Sequence, residues 1–199
     1  MIDPRRLFGL CFPLVLSSVL SGCYGERSER GGAEAEAAKA PVHETTEAVA
    51  DIQAKSGSQV TGQATFTKQG DGRITVHVSI QNAPPGTHAA HIHELGDCGS
   101  EDGKSAGGHW NPMGVAHGLW GQPPFHLGDL GNIVVGENGN GNLTLTSPNA
   151  GFWSMDTGAA NDVIGKAIII HSDADDFMTQ PTGNAGGRIG CGVIKAVGL

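Results

Sequence analysis

His91-Ile92-His93 places two imidazoles two residues apart, the spacing at which strand side chains project from one face, so both rings can reach a single ion. Alone the pattern is weak. It gains weight from His109, His117, His126 and Asp129, which follow within 36 residues on what reads as one loop, and from His171 at the end of a later strand candidate. Six histidines and a carboxylate converging from two loops and two strand ends point to two neighbouring metal sites. The other histidines read differently: His43 lies among linker glutamates, and His77 faces outward from a strand. Twelve Lys plus Arg against twenty Asp plus Glu give a formal charge of −8, with no basic cluster beyond Arg5-Arg6. That balance excludes a nucleic-acid phosphate backbone as partner.

Five segments, in order, carry a resemblance. They are His91-Ile-His-Glu-Leu-Gly-Asp-Cys98, Gly107-Gly-His-Trp-Asn-Pro112, His126-Leu-Gly-Asp-Leu-Gly-Asn132, His171-Ser-Asp-Ala-Asp-Asp176 and Gly183-Asn-Ala-Gly-Gly-Arg-Ile-Gly-Cys-Gly192. From about residue 48 to 199 the chain resembles copper/zinc superoxide dismutase. The resemblance implies one copper held by His91, His93, His109 and His171, and one zinc held by His109, His117, His126 and Asp129, with His109 bridging as imidazolate. The donor types agree with that division. Three imidazoles and one carboxylate make a closed tetrahedral set suited to Zn²⁺, and all-nitrogen ligation with an open position suits a copper that changes oxidation state.

By the same resemblance Asp175 joins a copper ligand to a zinc ligand, here His91 to His117, with Asp173 and Asp176 as the bland alternatives. His88 is structural support. Cys98 and Cys191 match the family's disulfide, which would pin the metal loop to the strand presenting Arg188. Arg188 docks superoxide, and His109 passes a proton to the departing peroxide. The alternative from another class is a non-catalytic copper/zinc-binding lipoprotein for metal sequestration or delivery. The family also admits a homodimer, although its interfaces vary between branches. One departure concerns substrate guidance: Phe177-Met-Thr-Gln-Pro-Thr182 is short and uncharged where relatives carry a longer charged loop. Lys104, or another basic residue on the metal loop, is the candidate substitute.

The elements that must position these residues read as strands. Val60, Gly62, Ala64 and Phe66 alternate with polar residues, and a Gln69-Gly-Asp-Gly72 turn leads to Ile74, Val76, Val78 and Ile80 facing inward. Later strand candidates are 132–135, 142–146, 165–171 and 188–197. Thirty-two glycines in 199 residues suit tight turns better than helices. The expectation is an all-β antiparallel barrel or sandwich, which the resemblance specifies as a Greek-key eight-stranded one. Residues 94–131 and 172–187 are its two long functional connections, the metal loop and a short electrostatic loop. Trp110, Trp120 and Trp153 fit loop or core equally well.

The N-terminus is not part of this fold. Arg5-Arg6 followed by the apolar run Leu7–Leu20 reads as a signal peptide, and Leu20-Ser21-Gly22-Cys23 resembles the lipobox of bacterial lipoproteins. Cutting before Cys23 leaves three cysteines in an oxidising compartment, and lipidation of Cys23 removes the odd thiol. The expected organisation is a signal peptide over 1–22, a lipidated cysteine and acidic linker over 23–47, and the catalytic domain over 48–199. The 24 linker residues 24–47 hold six glutamates and almost no large apolar group. As a flexible coil they span roughly 25–30 Å. Export to the periplasmic face of a bacterial membrane as a lipoprotein follows as an expectation, with the outer membrane as the candidate.

Overall fold

A computed structural model describes residues 44–156 and 158–198; the expected signal peptide and lipidated Cys23, and most of the linker, lie outside them. The strands are β1 (Glu47–Ala54), β2 (Thr61–Lys68), β3 (Ile74–Gln81), β4 (Gly86–His93), β5 (Asp129–Val135), β6 (Gly141–Thr146), β7 (Ala167–His171), β8 (Arg188–Val193) and β9 (Lys195–Ala196). All pair antiparallel in the order β2-β3-β6-β5-β4-β7-β8-β1, and β1 pairs with β2 to close the barrel. β9 continues the last strand after a break at Ile194, whose N–H leaves the ladder to donate to the Lys166 carbonyl. The barrel is therefore eight-stranded and all-β, with a single 3₁₀ turn at Lys104–Ala106 among the described residues. Among those residues no helix is long and apolar enough to cross a membrane.

Alternation accounts for the barrel interior. Ala64 and Phe66 of β2, and Ile74, Val76, Val78 and Ile80 of β3, are buried, while His77 is exposed and bonds Thr144 across the sheet. β4 departs from this pattern with six consecutive buried residues. Ala90 and Ile92 join the barrel core, whereas His91 and His93 point to the outer face, which the long connections cover. β7 behaves alike: Ile168 and Ile170 face the core, and Ile169 packs outside it with Ala106, Ala167 and the Cys98–Cys191 pair. Strands buried on both faces lose their alternation.

Three boundaries differ from the sequence reading. Glu47, assigned to the linker, belongs to β1, and Thr45 is buried. β7 starts at Ala167, two residues later than expected. Asp129, expected on a loop, opens β5 opposite His91, because the glycines around it, which read as turn signals, serve a strand covered on both faces. A third long connection, 147–166, also matters. It carries Trp153 into the core against Phe66 at 6.1 Å, where its indole N–H donates to the Leu127 carbonyl. Trp110 is core as well, while Trp120 is partly buried and ties the metal loop to Phe152 and Trp153.

Candidate metal centre

The barrel wall supplies the fixed half of the centre. His91 and His93 project from β4, and His171 ends the neighbouring β7. Register shifts fall between Ala90 and His91 and between Ile170 and His171, and such bulges re-aim the side chains that follow them. The metal loop is stitched to β4 so that His109 lies beside His93: Glu94 N–H donates to the Gly108 carbonyl, Trp110 N–H to Ile92, and Ile92 N–H to Gly128. His117 and His126 complete the arrangement from farther along that loop.

Two groups of ligand atoms result, each with its members within 4.8 Å of one another and every residue buried: His91, His93, His109 and His171, and His109, His117, His126 and Asp129. His109 is common to both, its ring centroid 4.1 Å from that of His91. Outer hydrogen bonds choose which nitrogen each ring offers. His93 Nδ1 donates to the Gly107 carbonyl at 3.0 Å, which leaves its Nε2 lone pair facing His171 Nε2 at 3.4 Å. His91 Nε2 and His117 Nε2 donate to the two oxygens of Asp175, at 2.8 and 2.9 Å. His126 Nε2 donates to the Val115 carbonyl at 3.1 Å. Asp129 then meets Nδ1 of His109, His117 and His126 at 2.9–3.1 Å.

Among the described residues, five buried ring nitrogens make no well-formed hydrogen bond: His91 Nδ1, His109 Nε2, His117 Nδ1, His126 Nδ1 and His171 Nδ1, of which His117 Nδ1 and His126 Nδ1 lie beside Asp129 oxygens at 2.9 and 3.1 Å. Burying an unpaired polar atom costs about 1–3 kcal/mol, so His91 Nδ1 and His109 Nε2 in the first group need a partner, and the second group sets three Nδ1 atoms around one carboxylate. Cations meet that need, and the donors fit: the His117, His126, Asp129 and His109 set suits a tetrahedral zinc, and the all-imidazole set a copper. Protonation favours the same outcome. Burial holds the His93 imidazole down to about 2, His109 to about 4, and His171 well below its usual value, so these rings are neutral at physiological pH. Asp129 and Asp175 stay well below the carboxylate range although burial opposes it, because imidazoles bond them. His117 is the exception: burial pulls it down, yet Asp129 and Asp175 on either side hold it up at about 9.

The remaining candidates surround this pair of sites. Asp176 folds the loop turn by accepting from Met178 and Thr179, and Asp173 is exposed, so Asp175 alone of the three lies between imidazoles. His88 faces the carbonyls of His171 and Pro84, each at 2.9 Å, away from both ligand groups. The half-buried Arg188 donates to the carbonyls of Gly103 and Gly107 and lines a cleft with His93, His171, Thr182 and Gly187. Cys98 and Cys191 are disulfide-bonded, and Lys55 ties the carbonyls of Cys98 and Ser100 to β1's end.

Lys104, expected as a free guide for the substrate, is paired with Asp102 at 2.9 Å, and both line the cleft rim. The pair adds no net positive charge there. Its Asp-x-Lys spacing is local enough to read from sequence. Gln180, which bonds the His117 backbone, and Asn132, which bonds the Asp175 backbone, went unforeseen as supports, since single amides carry no motif.

Residues 60–194 match the sequence model of copper/zinc superoxide dismutase (SODC). Among solved structures, the clock protein EA4 is 34% identical with a TM-score of 0.67, the alignment covering 77% of this chain and 96% of that one. A double mutant of a SOD-like protein from Bacillus subtilis is 35% identical with a TM-score of 0.64, over 74% of this chain and 97% of that one.

Proposed function

The chain belongs to the copper/zinc superoxide dismutase family, and from that premise we propose that it is a catalytic member, converting superoxide to dioxygen and hydrogen peroxide. The observation that carries the proposal is the pair of buried ligand groups that share His109, with His91 Nδ1 and His109 Nε2 buried and without a partner. His91, His93, His109 and His171 would hold copper, and His109, His117, His126 and Asp129 zinc. When bound, copper supplies the reversible one-electron change, and zinc a redox-silent positive charge.

One superoxide gives up an electron and leaves as dioxygen; a second accepts that electron with two protons and leaves as hydrogen peroxide. Arg188 binds the anion at the cleft floor, its guanidinium aimed by two carbonyls that leave other N–H groups to the substrate. His109 carries a proton at Nε2, the nitrogen that faces the first ligand group without a partner. Asp175 fixes the tautomers of His91 and His117 together, so that neither Nδ1 is protonated when its site is filled.

We place the enzyme outside the cytoplasmic membrane, tethered by lipid on Cys23; the Cys98–Cys191 disulfide and the residue order from Arg5 to Cys23 support that reading. The deciding experiment is a superoxide-dependent dye-reduction assay on copper- and zinc-loaded protein. Inhibition of dye reduction is the expected result. Full loading without inhibition favours metal sequestration or delivery, which needs the ligands but not Arg188.

A further inference from the structure

The loop 177–183 is too short and too neutral to steer an anion, yet its one long polar side chain makes an unusual contact. Gln180 Oε1 accepts the His117 backbone N–H at 2.8 Å, and its Nε2 donates to the His117 carbonyl at 3.0 Å and the Met178 carbonyl at 3.2 Å. A primary amide thus pairs with both backbone groups of one residue, as a neighbouring strand would. The same device sits at the far end of the imidazole-carboxylate link. Asn132 Oδ1 accepts the Asp175 N–H at 2.8 Å, and its Nδ2 donates to the Asp175 carbonyl at 2.9 Å.

Between these two amides lies the hydrogen bond from His117 to Asp175, and the loop closes on it. A Cβ at Gly183, whose φ is +65°, would stand 1.8 Å from Asp175 Oδ1 and 2.6 Å from His117 Nε2. His117 needs such support because it comes from the metal loop, away from any strand, whereas His91, His93, His171 and Asp129 sit in the barrel wall.

We infer that Gln180 is a positioning residue for the zinc subsite: its side-chain amide fixes the backbone of His117, so that this ring presents Nδ1 to the ion while Nε2 stays on Asp175. The loop that sequence alone marks as a missing guide serves instead as a clasp on the second ligand group. This rests on the reading that the group takes zinc.

The test loads the purified chain with Zn²⁺ and follows its transfer to a chromophoric chelator, comparing wild type with Gln180→Ala and Gln180→Glu. Outer supports of metal ligands are worth about tenfold or more in metal retention. Gln180→Ala is expected to release zinc about tenfold faster, with copper release changed by less than about twofold. Gln180→Glu keeps an acceptor for the His117 N–H and lacks the donor, and so should fall between. With Co²⁺ in place of Zn²⁺, the visible spectrum of Gln180→Ala should shift, reporting altered ligand geometry.

Equal zinc release from wild type and Gln180→Ala overturns the inference alone. Equal loss of both metals, or a lower midpoint of the metal-free protein with unchanged zinc release, also overturns it. A wild-type chain that takes up no Zn²⁺ overturns the zinc reading and this inference together.

Discussion

His93 and Arg188 share one acceptor: the Gly107 carbonyl takes the His93 Nδ1–H at 3.0 Å and an Arg188 Nη2–H at 2.7 Å. One oxygen thereby sets both the tautomer of an imidazole in the first ligand group and the aim of the guanidinium beside it. Arg188→Ala is expected to lower kcat/KM about tenfold or more and to flatten its dependence on ionic strength. Arg188→Lys should recover charge but not the two-carbonyl aim, and so rescue only part of the rate. Stopped-flow superoxide decay at several salt concentrations measures both; an unchanged rate and salt slope would remove Arg188 from substrate capture.

Asp102 offers the opposite lever. Its carboxyl is held down at about 2 by the Lys104 ammonium, so it is charged throughout the neutral range and cancels that lysine at the cleft rim. Asp102→Asn frees the lysine. The expected outcome is a kcat/KM raised by roughly twofold at low salt, with a steeper loss on adding salt.

In the metal-free protein, proton and zinc compete at His117. Its folded value of about 9 lies above the usual 6.5, so the imidazolium between Asp129 and Asp175 stabilises the fold fully below pH 6.5, and that contribution disappears as pH rises through 9. Zinc must displace this proton. Apparent zinc affinity is therefore expected to rise with pH between 6.5 and 9, with proton release on binding, as calorimetry in buffers of different ionisation heat would read. His93 and His109 act in the other direction: with folded values near 2 and 4, their contribution is present above pH 6.5 and is lost as pH falls below it.

The disulfide closes a 93-residue separation and anchors the metal loop to β8 three residues from Arg188. Cys98→Ser with Cys191→Ser should cost up to about 4–5 kcal/mol on the chain-entropy view. That corresponds to a fall in thermal midpoint of roughly 10 °C for a domain of this size. The loosened Gly103 and Gly107 carbonyls should also lower kcat/KM beyond any loss of bound metal.

Cys23→Ser should move the protein from the membrane fraction to the soluble fraction of cells, since the lipobox-like Leu20-Ser21-Gly22-Cys23 makes that cysteine the expected point of attachment. Retention in the membrane fraction would refute lipidation there.

The strand-borne histidines were legible because strand geometry is local: His91 and His93 share a face through spacing alone, and the inward residues of β3 follow from simple alternation. Asp129 was legible as a member of the histidine cluster and not as a strand residue, because Gly128 and Gly131 imitate a turn while the surrounding loop buries both faces. Trp153 was undecided for a related reason. Its place in the core depends on how 147–166 folds back over the barrel, and no period within that segment encodes the path. Gln180 and Asn132 lay beyond reach because each acts on backbone groups brought near by tertiary structure.

Both ligand groups stand on the outside of the barrel wall, roofed by connections and separated from the interior by Ala90, Ile92, Ile168 and Ile170. Maturation can therefore proceed in two stages. The strands can close around their apolar interior in nascent, unmetallated protein, and ions can enter afterwards through lifting of the roof alone, an opening that costs less than global unfolding. With both groups filled as proposed, metal exchange would be a local breathing event that leaves the barrel intact.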